Sequence, residues 1–197
     1  MVHFGDRIEE SGLEIITSML SECWNVKISQ KVMQLRLASG QMFFIAFDSA
    51  VQEDAEKYNA HLGEIIPVGL IETIDIKTLG SYSLVPKTYC ALTEAMLWRS
   101  PMKMSDTLIL TDITMLPTHR GKNIGRELVQ HCLKSATHTG RYDYIWTYTP
   151  DIAKIKDWHI RNGAVDSNYK IPGAREFCST PDVNIMDYSK HVVSIKK

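Results

Sequence analysis

Residues 107–126 read TLILTDITMLPTHRGKNIGR, and this stretch decides which fold the chain can adopt. Its first nine residues, 107–115, are mostly apolar or β-branched and predict a buried strand that Pro117 ends. Residues 124–136 then carry apolar side chains at helical spacing and predict an amphipathic helix. The sequence therefore predicts a strand, a short polar loop and a helix in direct succession.

The loop between the strand and the helix combines positive charge with glycine. Its basic residues, with no acid between them, are Arg120, Lys122 and Arg126. Gly121 and Gly125 let backbone amides approach a ligand closely, and the positive end of the following helix points at the same place. The combination predicts a phosphate or pyrophosphate site. The structural alternative is a solvated basic turn that caps the helix. The spacing fits neither a P-loop nor a dinucleotide-binding glycine motif.

The rest of the chain predicts further strands and helices around this unit. Strands are expected at 41–47, 64–76 and 142–149, with one or two closing strands near the C-terminus, and a helix at 11–24 with Ser11 as its N-cap. Residues 31–37 fit either a helix or a strand, and residues 48–63 form a polar connector with room for a short helix. Residues 77–106 are hard to interpret apart from a helix at 91–98. This order predicts a mixed α/β or α+β domain built on one sheet.

Three residues outside the loop mark expected boundaries. Pro67 argues for an edge position or a bulge in its strand, because proline cannot donate to a sheet ladder. Pro150 is suited to open a helix, and Gly163 to close it.

The composition of the chain argues against several classes of binding partner. Lys and Arg total 22 against 23 Asp and Glu, so the net charge is −1, which argues against a general nucleic-acid binder. No apolar run reaches the length of a membrane span, and the polar N-terminus does not resemble a secretory signal. The four cysteines are far apart without zinc-ligand spacing, so we expect a reduced, cytoplasmic setting and no metal.

The pattern Pro117-x-x-Arg120-Gly121-x-x-Ile124-Gly125-x-x-Leu128 resembles the acyl-CoA-binding motif of the GNAT acyltransferases. The resemblance implies the GNAT fold, a central mixed and mostly antiparallel sheet with a splayed pair of parallel strands flanked by helices. The order of elements is compatible with this fold from about residue 8 to 190, and residues 107–164 carry its motifs. We expect residues 1–197 to form one domain, with a flexible tail at about 190–197. The resemblance also implies that acetyl-CoA is the cosubstrate.

The same resemblance assigns the cofactor-binding residues. The pyrophosphate would be wrapped by Arg120, Gly121, Lys122, Asn123, Ile124, Gly125 and Arg126. Asn123 departs from the family, which usually has glycine there, but asparagine tolerates the left-handed conformation better than most residues. A backbone N–H near the end of the preceding strand, at Met115 with Leu116 next to it, would bind the thioester carbonyl and hold the developing oxyanion.

A second set of candidates lies further along. His159, in WHIRNGA (158–164), takes the position of the tyrosine that protonates the CoA thiolate in most GNAT enzymes. The segments HIRNGA and Thr147-Tyr148-Thr149-Pro150 also resemble GNAT-fold malonyl-CoA decarboxylases, which implies catalytic roles for Thr149 and His159, and for Arg175 beyond them. The structural alternatives are a packed histidine, a strand-end or N-cap threonine and a surface arginine. His119 is expected either to contact a phosphate group or to be a solvent-facing turn residue.

Three functions follow from these observations. The first is an N-acetyltransferase in which an amine attacks acetyl-CoA directly, with His159 as the acid or base. The second is a malonyl-type acyl-CoA decarboxylase, or an enzyme that loads acyl groups onto a carrier protein, using Thr149 and His159. The third is a non-catalytic CoA-binding module, favoured if His159 is buried and fully paired. The acceptor, a small-molecule or peptide amine, is not identified by the sequence, and a homodimer is one of the open oligomeric states.

Overall fold

The computed structural model describes residues 2–6, 10–24, 27–38, 42–76, 106–172 and 182–193. The strands are β1 (His3–Gly5), β2 (Met42–Ser49), β3 (Ile65–Asp75), β4 (Thr107–Met115), β5 (Tyr144–Pro150), β6 (Val165–Pro172) and β7 (Asp182–Asp187). The helices are α1 (Glu10–Trp24), α2 (Gln30–Ala38), α3 (Gln52–Tyr58), α4 (Ile124–His138), α5 (Ala153–Arg161) and α6 (Lys190–Val193). A 3-10 turn covers Pro117–His119.

Hydrogen bonding joins the strands in the order β1-β2-β3-β4-β5-β7-β6. β4 and β5 pair in parallel over four residues, from Thr107 opposite Tyr144 to Leu110 opposite Thr147. The pairs β1–β2, β5–β7 and β6–β7 are antiparallel. This mixed sheet with flanking helices confirms the expected GNAT fold class.

Residue contacts divide the chain into two compact units, Met1–Glu72 with Asp112–Cys132, and Thr73–Thr111 with Leu133–Lys197. The first unit buries apolar side chains of α1, β3 and α4, among them Ile16, Leu20, Leu70 and Leu128. The second unit buries Leu108, Ile145, Ile185 and Tyr188. The description of the whole chain as one domain with a flexible tail stays a prediction.

The segment that the sequence left open, residues 31–37, is a helix. Met33 and Arg36, three positions apart, are both buried, whereas Leu35 is 40% exposed. The Arg36 guanidinium donates to the Glu72 carboxylate of β3 at 3.1 Å. A helix presents residues three apart on one face, so Met33 and Arg36 are buried together on the face that carries this ion pair.

Several boundary expectations need correction. α1 already includes Glu10, so Ser11 lies inside the helix and is not its N-cap. β3 has neighbours on both sides in the sheet, so Pro67 is not at an edge, while the bulge alternative stays open. Pro150 does not open a helix: it is the last residue of β5 and pairs with Val183 of β7. The helix expected at 91–98 lies outside the described residues.

A side chain at Gly69 of β3 would collide with the Met115 side chain. A Cβ atom there would lie 2.3 Å from the Met115 sulfur and 3.3 Å from a Leu128 methyl group. The end of β4 therefore packs against bare backbone of β3, and this contact holds the strand end from which the loop at 117–126 departs.

We expect Gly69→Ala to lower the free energy of unfolding by about 1–3 kcal/mol, the usual cost of overpacking a core. The loss should shrink when the same substitution is made in a Met115→Ala background, because the clashing sulfur is then gone. Urea unfolding of the wild type, the two single variants and the double variant measures this coupling. Equal losses in the two backgrounds would contradict it.

Candidate functional site

The loop after β4 has the backbone conformation that a close ligand approach requires. Gly121 has φ +78° and Asn123 has φ +63°, so both are left-handed. The expectation that Asn123 adopts the conformation usually left to glycine is therefore confirmed. The Arg120, Lys122 and Asn123 side chains are exposed.

The start of α4 supplies amide donors at the same place. The Glu127 amide donates to the Asn123 carbonyl at 3.1 Å, the first hydrogen bond of the helix. The amides of residues 124–126 precede that bond and so have no acceptor within the helix. Together with three cationic side chains, these amides form a surface suited to an anion with several oxygens.

The sequence assigned the thioester carbonyl to the backbone amides of Met115 and Leu116 together, but in the structure these two amides point to different sides of β4. The Leu116 amide donates to the Val68 carbonyl of β3 at 2.9 Å and is already engaged. Consecutive amides of a strand point to opposite edges, so the Met115 amide faces away from β3. The Met115 carbonyl accepts a 3.2 Å hydrogen bond from Arg120 Nε, which brings this guanidinium to the same strand end.

His119 was expected to be a solvent-facing turn residue or a phosphate ligand, and the first expectation is wrong. Its side chain is 1% exposed, with Nδ1 3.0 Å from Thr118 Oγ1 and Nε2 3.3 Å from the Ser49 carbonyl of β2. The residue is part of the packing beneath the loop. The sequence offered no signal for this, because Ser49 is distant in the chain.

Thr149 is the penultimate residue of β5 and is 2% exposed. Its Oγ1 has no hydrogen-bond partner among the described residues, and α5 begins only at Ala153, so Thr149 does not cap that helix. It lies opposite Asn184 of β7 in the sheet register.

His159 lies on α5 and is 5% exposed. Its Nδ1 is 2.8 Å from the Tyr188 hydroxyl, and the Trp158 ring meets it edge-on. Burial lowers the pKa of His159 to about 4, because the charged form loses its hydration. This low pKa leaves the ring neutral near pH 7. Within the described part of the chain, the ring is hydrogen-bonded on its Nδ1 side only.

Helix α5 is closed by the glycine that the sequence indicated. Gly163 has φ +100°, and a Cβ atom there would lie 2.5 Å from His191 Nε2. The C-cap glycine expectation is therefore confirmed. This closure fixes the last turn of α5, which carries His159.

The second set of candidates is not brought together by hydrogen bonds. Thr149 and His159 make none with each other, and Arg175 lies outside the described residues. The partner that sequence reasoning missed is Tyr188, which follows β7 and carries no local motif. Among the described residues, no group of three or more His, Cys, Asp or Glu side chains is arranged for a metal ion. None of the helices described is long and apolar enough to cross a membrane.

Comparison with known proteins agrees with the fold. Residues 77–159 match the model of the Acetyltransferase (GNAT) family. No curated protein matches the chain. Arabidopsis thaliana NAA60, solved with a bisubstrate analogue, shares 11% identity and a TM-score of 0.64, covering 95% of this chain and 97% of that one.

Two bacterial structures give the same result. The protein yncA from Salmonella typhimurium, solved with acetyl-CoA, is 14% identical with a TM-score of 0.60, covering 94% of this chain and 92% of that one. The ribosomal-protein-S18-alanine N-acetyltransferase from Escherichia coli is 12% identical with a TM-score of 0.57, covering 95% and 92%. The resemblance to GNAT acetyltransferases is thus confirmed by the fold and by the family match at 77–159.

The low pKa of His159 makes a prediction about stability. The unfolded chain takes up a proton on this histidine near pH 6.5, whereas the folded protein takes it up only near pH 4. The histidine therefore lowers the free energy of unfolding as the pH falls from about 6.5 to about 4, by at most about 3 kcal/mol. His159→Gln should remove this part of the acid sensitivity.

Urea unfolding at pH 7 and pH 4.5 measures the difference between the wild type and the variant. His61→Gln is the matched control, because the His61 side chain is exposed. If the wild type and His159→Gln lose equal stability on acidification, His159 is not buried as described.

Proposed function

We propose that this protein is an acetyl-CoA-dependent N-acetyltransferase that transfers the acetyl group directly to an amine. The observation that carries the proposal is the loop at 120–126, where two left-handed residues and the amides of the first turn of α4 face outward beside three cationic side chains. The GNAT fold and the family match at 77–159 support the same reading.

Two observations support acetyl-CoA as the cosubstrate: the chemistry of the loop at 120–126 and the ligands present in similar solved structures. Backbone amides and guanidinium groups hold phosphate oxygens well, so the loop would take the pyrophosphate of acetyl-CoA. The structure of yncA contains acetyl-CoA as its cofactor, and that of Arabidopsis thaliana NAA60 contains a bisubstrate analogue. The residues proposed for this role are Arg120, Gly121, Lys122, Asn123, Ile124, Gly125 and Arg126.

The end of β4 would hold the reacting carbonyl. The Leu116 amide is bonded to Val68, so the Met115 amide is the donor we assign to the thioester oxygen. The amine nitrogen attacks the carbonyl carbon, the carbon–sulfur bond breaks, and CoA leaves as its thiol while the acceptor keeps the acetyl group as an amide. The attacking amine loses one proton, and the departing CoA thiolate takes one up to become the thiol.

We propose His159 as the base in this reaction. The ring is neutral at pH 7, so it has a lone pair that can accept a proton, although a pKa of about 4 makes it a weak base. Nε2 is the nitrogen without a hydrogen bond among the described residues. The same low pKa argues against the acid role, since few rings hold the second proton near pH 7. We also propose catalytic roles for Thr149, whose hydroxyl has no hydrogen-bond partner among the described residues, and for Arg175.

The acceptor class is an amine. The neighbours named for their substrates act on a ribosomal-protein alanine and on an aminoglycoside, and a further one was solved with a Gag peptide. We therefore propose a peptide or a small-molecule amine. The decarboxylase alternative has no support from these comparisons, and no hydrogen bond joins Thr149 to His159.

A direct test incubates the protein with acetyl-CoA and a panel of peptides and small amines, with products followed by mass spectrometry. Acetylated amine together with free CoA supports the proposal. A parallel incubation with malonyl-CoA and no amine should yield no acetyl-CoA. Formation of acetyl-CoA in that tube, or failure to bind either thioester, would overturn the proposal.

Reversing the charge of the loop should weaken the binding of acetyl-CoA. Lys122→Glu is expected to raise the dissociation constant at least about tenfold, because a charge-assisted contact to phosphate is replaced by repulsion. Lys134→Glu is the matched control, since Lys134 is an exposed lysine further along α4. Isothermal titration calorimetry measures both, and equal affinities for the two variants would contradict the assignment.

Asn123 offers a test of backbone conformation rather than charge. Asn123→Gly should bind acetyl-CoA like the wild type, because glycine adopts φ near +63° freely. Asn123→Val should lose at least about tenfold in affinity, because a β-branched residue disfavours that conformation. Similar affinities for the two variants would show that the left-handed loop is not needed for binding.

A further inference from the structure

Two buried side chains on neighbouring strands carry polar atoms that no described residue binds. Thr149 of β5 is 2% exposed, and Asn184 of β7 is 1% exposed. The atoms without a hydrogen-bond partner among the described residues are Thr149 Oγ1 and Asn184 Oδ1. Native proteins hydrogen-bond nearly all of their buried polar atoms, so these two atoms require an explanation.

The sheet register places the two side chains next to each other. Thr149 is the direct partner of Asn184 in the antiparallel pairing of β5 with β7. Residues paired in this way project from the same face of a sheet, with Cβ atoms about 4.5–5.5 Å apart. Thr149 Oγ1 and Asn184 Oδ1 can therefore bind one small group between them.

The neighbouring Asp151 fixes which way the Asn184 amide points. Asn184 Nδ2 donates to Asp151 Oδ1 at 2.8 Å, and Lys170 Nζ donates to Asp151 Oδ2 at 2.8 Å. The hydrogen bond from Lys170 lowers the pKa of Asp151, and an ionised carboxylate can only accept. The amino group of Asn184 is therefore committed to Asp151, which leaves Oδ1 for a ligand.

The chemistry of this pair selects the group that it can bind. A carbonyl oxygen only accepts, so the ligand must bring an N–H or O–H to Asn184 Oδ1, and the Thr149 hydroxyl can accept from a second donor. Ionised phosphate and thioester oxygens carry no proton and do not fit. A neutral primary amine fits, because one N–H points at each oxygen while the lone pair of the nitrogen stays free. The charges of Asp151 and Lys170 offset each other, so the pair has no neighbouring net charge that would require an ion.

The pair also lies at a place in the sheet that favours ligand binding. β5 pairs with β4 in parallel as far as Thr147, opposite Leu110, and Thr149 comes two residues later. In open sheets with parallel strands, ligands bind beyond the carboxyl ends of the strands, where neighbouring strands part. Thr149 is the penultimate residue of β5 and so meets this condition.

The proposed base lies over the same face of the sheet. The Tyr188 amide donates to the Ile145 carbonyl at 2.8 Å, so the register of β7 with β5 continues to Tyr188. Tyr188 and Asn184 are four residues apart, and an even spacing in an extended chain puts them on one face. Because the Tyr188 hydroxyl is 2.8 Å from His159 Nδ1, His159 shares that face.

We infer that Thr149 and Asn184 bind the amine nitrogen of the acyl acceptor, and that Asp151 is the positioning residue that orients Asn184. The inference rests on the proposed function, and it adds to the site a residue of β7 that belongs to no sequence motif. The two oxygens hold the N–H groups of a neutral amine, which leaves its lone pair free to attack the thioester carbonyl carbon.

The stability of two threonine variants separates a binding role from a structural one. Thr149→Val removes a hydroxyl that bonds to no described residue, so the variant should unfold at the same urea concentration as the wild type or a higher one. Thr147→Val is the matched comparison, because Thr147 is also buried on β5 while its hydroxyl donates to the Leu110 carbonyl at 2.8 Å. That variant should unfold at a lower urea concentration.

Glycinamide, which carries a free α-amino group, is the probe for binding. It is titrated at pH 9, where this amine is mostly neutral, into isotope-labelled protein saturated with CoA. The backbone amide resonances of Thr149 and Asn184 should shift, whereas N,N-dimethylglycinamide, which has no amine N–H, should leave them unchanged.

The dissociation constant of glycinamide should depend on all three side chains. Thr149→Val and Asn184→Leu should each raise it about tenfold, because each loses one hydrogen bond to the amine. Asp151→Ala should raise it by a smaller factor, because the Asn184 amide can then turn. Calorimetry should give the wild-type affinity for acetyl-CoA in all three variants.

The outcomes separate the inference from the proposed function. If the wild type binds no acetyl-CoA, the proposed function fails and the amine site fails with it. If the wild type binds acetyl-CoA but glycinamide leaves Thr149 and Asn184 unshifted, or if the variants bind glycinamide as tightly as the wild type, the amine site is wrong while the proposed function stands.

Two further results would also overturn the inference. A weaker affinity of Thr149→Val and Asn184→Leu for acetyl-CoA would assign the pair to the cofactor. A loss of stability in Thr149→Val equal to that of Thr147→Val would show that the Thr149 hydroxyl is engaged within the protein. Should Asn184→Leu not fold, Thr149→Val decides.

Discussion

The hydrogen bond from the Leu116 amide to the Val68 carbonyl is the constraint on which the candidate site depends. It keeps the end of β4 on β3 for one residue beyond the strand proper. The Met115 amide then faces the opposite edge, and the chain must turn at Pro117. Gly69 allows this close approach because no Cβ atom would fit beside Met115. The loop and the start of α4 begin from a strand end that is fixed in this way.

Two buried histidines show how the surroundings of the same side chain decide its chemistry. His119 is surrounded by polar groups, with the Thr118 hydroxyl and the Ser49 carbonyl beside its ring nitrogens and two carboxylates nearby. His159 is buried beside the aromatic side chains of Trp158 and Tyr188, and burial holds its pKa near 4. The first histidine is suited to hold backbone in place, and the second to accept a proton. No feature of the local sequence separates them, since both occupy polar segments.

The sequence predicted well where the physics is local. The succession of strand, loop and helix over 107–136 follows from side-chain periodicity, and the left-handed Asn123 follows from the preferences of one residue type. Gly163 was predicted correctly for the same reason. Each of these depends on neighbours within a few residues.

Apart from the start of α1, the expectations that failed involve residues whose contacts are distant in the chain. Pro150 extends β5 because it pairs with Val183 of β7. The local sequence of α2 does not show that Arg36 forms an ion pair with Glu72 of β3. His119 is buried beside Asp54, which is far away in the sequence. Thr118, the residue before His119, is 64 positions from Asp54 and donates a hydrogen bond to it. Tertiary contacts of this kind leave no periodic or compositional signal.

The most direct test of the account is an NMR titration of the isotope-labelled protein with acetyl-CoA. The resonances of five backbone amides should shift on binding, those of Gly121, Ile124, Gly125, Arg126 and Met115. The Leu116 amide, which is bonded to Val68, should change much less. Binding that leaves the amides of 121–126 unmoved, or that shifts a different surface, would contradict it.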